Sequence, residues 1–265
     1  MKEVSLQSWE EFEQNISLSL QEMETKRREA RIYISRPLFR GHGNASWKLE
    51  TTLERFTPNQ CKTDDYYRII RAIKPAVESL TEKSWDLPNE YTTDDSTAHA
   101  PPGYEFMVYL RHHGFPSPLL DWSRSPYVAA FFAFRSKEPT KDGNVAVYSY
   151  VEYSGGGKGW TDINATVFGL GPYIATHRRH HIQQCEYTVC RKRVDKEYFY
   201  CSHEEAFARN DRGQDKITKY ILPLSERAKV LEKLDAMNIN SYSLFGNEEG
   251  LMEVLAYREI ERLLR

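Results

Sequence analysis

The chain has 265 residues, 36 Lys plus Arg against 38 Asp plus Glu, and a formal charge of −2. Its 40% apolar share is enough to bury a sizeable core, which excludes global disorder. The charge balance excludes a non-specific nucleic-acid coat, which would be strongly basic. The apolar run Val128 to Phe134 falls far short of the roughly 20 residues that span a bilayer, so no membrane role is expected. The first residues, MKEVSLQSWEEF, lack the basic-then-apolar pattern of a secretory leader, so the expected location is cytoplasmic. Cys61, Cys185, Cys190 and Cys201 form no CxxC pair and read as reduced, part-buried thiols.

Neither a repeat nor a Gly/Ser-rich linker divides the sequence, so one domain is expected. Its parts are an N-terminal helical segment over 1–36, a core over 37–255 and a C-terminal helix over 247–265. Ser8 with Glu11 reads as a capping box, and Trp9, Phe12 and Ile16 recur at helical spacing, which predicts a helix over 8–30. Pro37 to Gly41 reads as a strand entering a turn. Asp64 can cap a helix carrying Tyr67, Ile70 and Ile73, which Pro75 should end or kink. Residues 84–103 read as a long polar loop.

Glu105 to His113 is a predicted helix stopped by Gly114. Leu119 to Trp122 reads as a strand. Ser125 and Pro126 then supply the N-cap and first-turn proline of a helix through Phe134. Residues 144–151 and 182–194 are strand-like, with the flexible connection Gly155-Gly156-Gly157 between them. That glycine run lacks the context of a phosphate loop. Ser202 can cap a helix over 204–209, and 217–222 is strand-like. Ser225 should start a helix carrying Val230, Leu231 and Leu234. Asn247 should cap a last amphipathic helix with Leu251, Val254 and Leu255. The absence of a steady βαβ period points to α+β rather than a doubly wound nucleotide fold.

Two segments stand out for chemistry. In Leu38 to Phe56, Arg40 ends an apolar strand and Gly41 follows it. A permanent guanidinium sits where backbone can approach a ligand, suited to two-pronged recognition of phosphate or carboxylate. The alternative is a salt bridge from Arg40 to a buried carboxylate, with Gly41 needed only for the turn. In Arg111 to Phe134, His112 and His113 precede a turn, and Asp121-Trp122-Ser123 sits at a strand end before a capped helix. These can line a cleft. Equally, Asp121 can orient a histidine or cap amides, and Trp122 can be core.

These blocks resemble the FRG-domain family, named for its Phe-Arg-Gly signature. The match includes Phe39-Arg40-Gly41, Trp47, Leu49, Leu53 and Arg55. It continues through His113-Gly114-Phe115-Pro116, Leu119 to Ser123 and the helix Ala129 to Phe134. Arg179 to Thr188, with Gln183 and Gln184, resembles a segment late in the domain. The resemblance implies a role in prokaryotic host–phage conflict or a toxin-like activity. The arrangement is also similar to ADP-ribosyltransferases of the Arg–Ser–Glu type. That likeness implies an α+β fold with split antiparallel sheets and flanking helices. Arg40-Gly41 matches the first element of those enzymes, Ser123 keeps the last residue of the second, and Gln184-Cys185-Glu186 has the Gln-x-Glu form of the third.

Roles follow from that likeness. The chain would use NAD as substrate, as a transferase or as an NAD glycohydrolase, and no metal is expected. Glu186 would stabilise the oxocarbenium-like state formed as the nicotinamide–ribose bond breaks. Arg40 would clamp the diphosphate or ribose end, and Ser123 would orient Glu186. Phe39 or Trp122 would stack on nicotinamide, and Gln184 would face the acceptor. Gly41, His113 and Asp121 complete the expected NAD-binding set. The acceptor would be a protein or a nucleic acid, and an antitoxin or phage protein is an expected partner.

Two other readings stand beside this one. The same cleft can belong to a non-catalytic module that recognises a phage protein or an anionic ligand. A nucleic-acid hydrolase would use His112 and His113 as acid–base groups. His177, His180 and His181 have helical metal-ligand spacing, but the intervening arginines oppose a cation. They read instead as a basic turn, which Arg191, Lys192 and Arg193 extend toward an anionic cofactor or acceptor.

Overall fold

The computed structural model describes residues 1–57, 59–88, 100–136, 142–156, 158, 163–172, 174, 176, 178–209 and 214–261. In chain order the elements begin with β1 (Lys2–Ser5), α1 (Trp9–Glu29), β2 (Leu38–His42), α2 (Thr52–Phe56), α3 (Thr63–Thr81) and α4 (Tyr104–His112). Then come β3 (Leu120–Ser123), α5 (Pro126–Phe134), β4 (Asn144–Tyr153), β5 (Thr166–Gly169), α6 (Arg179–Ile182), β6 (Cys185–Val194) and β7 (Glu197–Tyr200). The last third holds α7 (His203–Ala208), β8 (Gln214–Pro223), α8 (Arg227–Ala236), α9 (Ser241–Phe245) and α10 (Glu248–Ala256), with a π-helical turn over Tyr257–Glu261. No helix among the described residues is long and apolar enough to cross a membrane.

Local chemistry sets many of the boundaries. Ser8 accepts from the Glu11 amide at 3.2 Å, while the Glu11 carboxylate reaches the Gln7 amide at 2.8 Å rather than that of Ser8. Ser125 accepts from the Val128 amide, with Pro126 in the first turn. Asn247 caps α10. Asp64 does not cap α3: Lys62 precedes the helix without a side-chain cap, and Asp64 lies in the first turn. Nor does Pro75 end that helix, which continues to Thr81. Pro75 is exposed and sits inside the helix. Ser225 lies inside a 3-10 turn that leads into α8.

The strands form one sheet in the order β1-β8-β4-β2-β3-β6-β5, with β7 paired to β6 beyond β3. All pairs are antiparallel except β1 with β8. The expected class, α+β with a mostly antiparallel sheet and flanking helices, is what this architecture is. The expected pair of split sheets is instead a single sheet with a weak seam. The N-terminal segment, expected to be helical, also supplies the edge strand β1.

The seam lies between β2 and β3, which share one register pair, Phe39 with Ser123. Beyond it the two strands part. Strand alternation sends Phe39, Val145, Val147, Tyr220 and Leu222 to one face, where they pack against α1, α5 and α8. On that same face Cys185, Tyr187 and Val189 of β6 pack against α3 and α4. The opposite face buries Leu38, Trp122, Tyr148 and Tyr150 with Phe207 of α7. A cavity opens at the seam, lined by residues of β2 and β3 with Arg55 of α2 and Ala129 and Phe132 of α5.

Gly41 brings α5 down onto β2. A Cβ there would stand 1.9 Å from the Ala129 carbonyl oxygen and 2.6 Å from the Ala133 nitrogen, both backbone atoms of α5. Gly41→Ala should thus cost about 3 kcal/mol or more, read as a shift of the urea midpoint. Gly43→Ala, whose Cβ meets nothing nearer than 3.6 Å, should stay within about 1 kcal/mol of the parent.

Candidate functional site

The cavity over the seam has a volume of about 460 Å³. Arg40 and His42 enter it from β2, Asp121 and Ser123 from β3, Arg55 from α2, and Trp47 from the loop between. This size suits a small organic ligand.

Arg40 is its central cation. Nη1 donates to the Asp121 carbonyl oxygen at 2.8 Å and lies 2.8 Å from Oδ1 of the same residue. Nε donates to His42 Nε2 at 3.1 Å. Arg111, from α4, donates to Asp121 Oδ1 at 2.6 Å. Both open readings of Arg40 are therefore present at once: it is salt-bridged, and it faces a cavity. Arg40 is only 12% exposed, whereas 40% of the Asp121 side-chain surface faces the cavity, so water screens these pairs in part.

The ionisation states follow from this geometry. Burial opposes charge on Asp121, but Arg111 and Arg40 outweigh it and hold the carboxyl well below the usual range. Asp121 is thus a fixed anion, unsuited to act as a general acid. Burial, with Arg40 beside it, pushes His42 down to about 3. The imidazole is neutral, and because Nε2 accepts from Arg40 its proton sits on Nδ1. Burial pushes the Cys185 thiol, also in the lining, up to about 12, so it offers no thiolate.

Charge in the cleft does not cancel. Arg40, Lys48 and Arg55 line it against Asp121 and Glu50, with Arg111 behind Asp121. Burial and the charges of Arg40 and Arg111 act against protonation of Arg55, which still keeps its charge at any ordinary pH. Its guanidinium makes no hydrogen bond among the described residues. Trp47 is 51% exposed and meets the His42 ring edge-on at 6.3 Å, so an aromatic surface stands at the mouth.

The expected residues divide between two places. Phe39, Arg40, Gly41, Asp121, Trp122 and Ser123 all touch this cavity. Trp122, however, is 2% exposed, tilts against the Tyr150 ring and donates its indole N–H to Thr188 Oγ1 at 2.9 Å. Its bulk belongs to the core, so it is not the stacking surface. Ser123 Oγ donates to the Gln183 carbonyl at 2.7 Å and accepts from the Ser125 amide at 3.0 Å. That hydroxyl braces a turn.

Glu186 does not join Arg40 and Ser123. Register sets Ser123 opposite Cys185 and Trp122 opposite Glu186, so Ser123 and Glu186 point to opposite faces. Glu186 instead lies 3.4 Å from Arg124 in a separate cavity. Gln184 is not on a strand: it occupies a left-handed turn position, φ 51°, just before β6. Ile182, expected to begin that strand, ends α6. His113 stacks near Tyr109, ring centroids 4.3 Å apart, and His112 shares a 2.7 Å hydrogen bond with the Tyr187 hydroxyl. Neither histidine lines the cleft.

The expected basic turn is also dispersed. His177 lies outside the described residues. His180 is buried and donates to the Pro172 carbonyl at 3.1 Å. Arg178 and Arg179 donate to the carbonyls of Gly246 and Phe245, Lys192 pairs with Glu205, and Arg191 covers the Phe168 ring. The site residues not singled out as such from sequence are His42, Trp47, Glu50, Arg55 and Arg111. Trp47 and Arg55 already stood among the signature positions, which was the signal for them. Arg111 gave none, since only folding brings α4 beside β3.

Asp121→Asn should destabilise the protein by about 1–3 kcal/mol at pH 7, because Arg40 and Arg111 lose their shared counter-charge. The native carboxyl titrates lower than the unfolded one. Its contribution is therefore complete above the unfolded value near ~3.9 and is lost as pH falls below it. Urea unfolding of both proteins at pH 7 and pH 3 should show the difference shrinking at pH 3.

Comparison with curated proteins and with solved structures gives no match to the chain. A family model does match, and it spans most of the residues that line the cleft. Residues 35–142, which carry Arg40, Trp47, Arg55, Arg111 and Asp121, match the FRG domain.

Proposed function

We propose that the cleft recognises an anionic ligand of the nucleotide class, a phosphate-bearing molecule with a flat ring. The observation that carries this reading is the arginine set: Arg40, Arg55 and Arg111 surround one carboxylate, Asp121, so the cleft keeps a positive surplus. Asp121 and His42 fix the direction of the Arg40 fork, which lowers the ordering cost of binding. Arg55 brings donors with no other partner among the described residues. Trp47 offers a ring face at the rim. NAD belongs to this ligand class and is the first candidate. A place in host–phage conflict rests on family resemblance alone.

A second reading, cleavage of the nicotinamide–ribose bond, needs a carboxylate beside the ribose. Asp121 is held by two arginines, and Glu186 faces away. Glu50 is the cleft carboxylate without an ion pair among the described residues, and it would take that role.

Titration calorimetry of the full chain with NAD, ADP-ribose and ATP tests the first reading. At least one should bind, and Arg40→Ala and Arg55→Ala should each weaken it by about tenfold or more. Arg55 is exposed on a short helix, so its variant should fold whatever Arg40→Ala does. Glu186→Gln should bind as the parent does. No binding by any of the three, or binding indifferent to both arginine variants, overturns the proposal. If nicotinamide is released from NAD, Glu50→Gln should abolish the release and Glu186→Gln should leave it intact.

A further inference from the structure

The opposite face of the β3–β6 strand pair borders a second cavity, of about 720 Å³. Arg124 and Glu186 reach it because alternation turns them away from Ser123 and Cys185. Most other charges around it are already matched. Arg27 pairs with Glu24 at 3.1 Å and donates to the Ile34 carbonyl. Glu152 accepts from Lys158 at 2.9 Å and from the Gly169 amide at 3.1 Å. A Cβ on Gly169 would stand 2.3 Å from Glu152 Oε2, so the glycine is what admits that carboxylate.

Arg36, Arg124 and Glu186 remain. Arg36 makes no hydrogen bond or ion pair among the described residues. Arg124 meets Glu186 only at 3.4 Å, too long for a strong hydrogen bond. Two guanidinium groups thus flank one half-buried carboxyl, and most of their donors have no partner among the described residues. Burial raises Glu186, with Arg124 pulling the other way. Both arginines also line an adjoining hollow of about 400 Å³, which keeps them accessible. Tyr33 is 68% exposed at the rim and rests edge-on against Tyr153, ring centroids 5.7 Å apart.

Guanidinium forks fit a planar carboxylate or a phosphate. A carboxyl between them accepts from hydroxyl groups, and an exposed aromatic face packs against the C–H face of a sugar ring. We propose that this second cavity binds an anionic monosaccharide, its acid group held by Arg36 and Arg124, its hydroxyls by Glu186, and its ring against Tyr33. The site is separate from the cleft over the seam and does not depend on what that cleft binds.

The test is calorimetric titration of the full chain with glucuronate, glucose 6-phosphate, glucose and inorganic phosphate. Glucuronate or glucose 6-phosphate should bind at least about tenfold more tightly than glucose, and whichever binds identifies the acid group. The Arg36→Ala/Arg124→Ala double variant should lose that binding by about tenfold or more, while Arg55→Ala, at the other cavity, keeps it. Glu186→Gln should weaken the sugar acid and leave inorganic phosphate unchanged. Four results each overturn the proposal: no binding by either sugar acid; inorganic phosphate binding as tightly as glucose 6-phosphate; binding that survives the double variant; or binding lost equally in Arg55→Ala.

Discussion

One missing stretch of β-ladder organises this protein. β2 and β3 lie side by side in the sheet but share a single register pair, Phe39 with Ser123. A sheet that stops pairing leaves carbonyls and amides in need of partners. Here a side chain takes part of that place: Arg40 reaches across the gap to the backbone oxygen and the carboxylate of Asp121. The bridge holds the two halves of the sheet together and lines the gap with charge. Arg111 adds a second hold on the same carboxylate from α4, so α4 and β2 are tied through one aspartate. The groups that close the seam therefore also line the cavity.

Close approach of α5 completes the cleft. Its backbone sits against Gly41, and its Ala129 and Phe132 contribute to the lining. The small residues of α5, Ala129, Ala130 and Ala133, are fully buried, as a helix pressed onto a strand requires. Ser123, Gln183 and Ser125 form a polar brace under this helix. Gln183 extends the brace to α9 by donating to the Leu244 carbonyl at 3.0 Å. These buried polar side chains are satisfied by backbone partners, which keeps the floor of the cleft rigid.

Strand alternation divides the residues around the start of β6 between the two cavities. Gln183, Cys185 and Ser123 line one, while Gln184, Glu186 and Arg124, each one residue further along, line the hollows on the other side. A period of two separates neighbours in sequence by the thickness of the sheet. That is why Ser123 and Glu186, read along the chain as parts of one Arg–Ser–Glu constellation, do not meet in space. Arg40 and Ser123 share a cavity because their strands flank the seam, and the register of β3 with β6 sends Glu186 elsewhere.

Much of the local structure was legible in the sequence. Ser8, Ser125, Ser202 and Asn247 each cap a helix where short-range chemistry placed them. The apolar cores of β2, β3, β4, β6 and β8 also fell within the segments read as strands. Short edge elements were not legible: β1, β5 and β7 have four residues each, and their pairing depends on distant partners. The turn at Gln183 and Gln184 was read as strand because it is flanked by strand-like residues. The mixed class, the capped helices and the Phe39-Arg40-Gly41 and Asp121 blocks rest on contacts within a few residues and can be read along the chain. Long-range packing sets which charges share a cavity. It brought Arg55 and Arg111 to Asp121, made His42 a neutral support for Arg40, and turned Glu186 to the far face, because register and helix packing act between residues far apart in the chain.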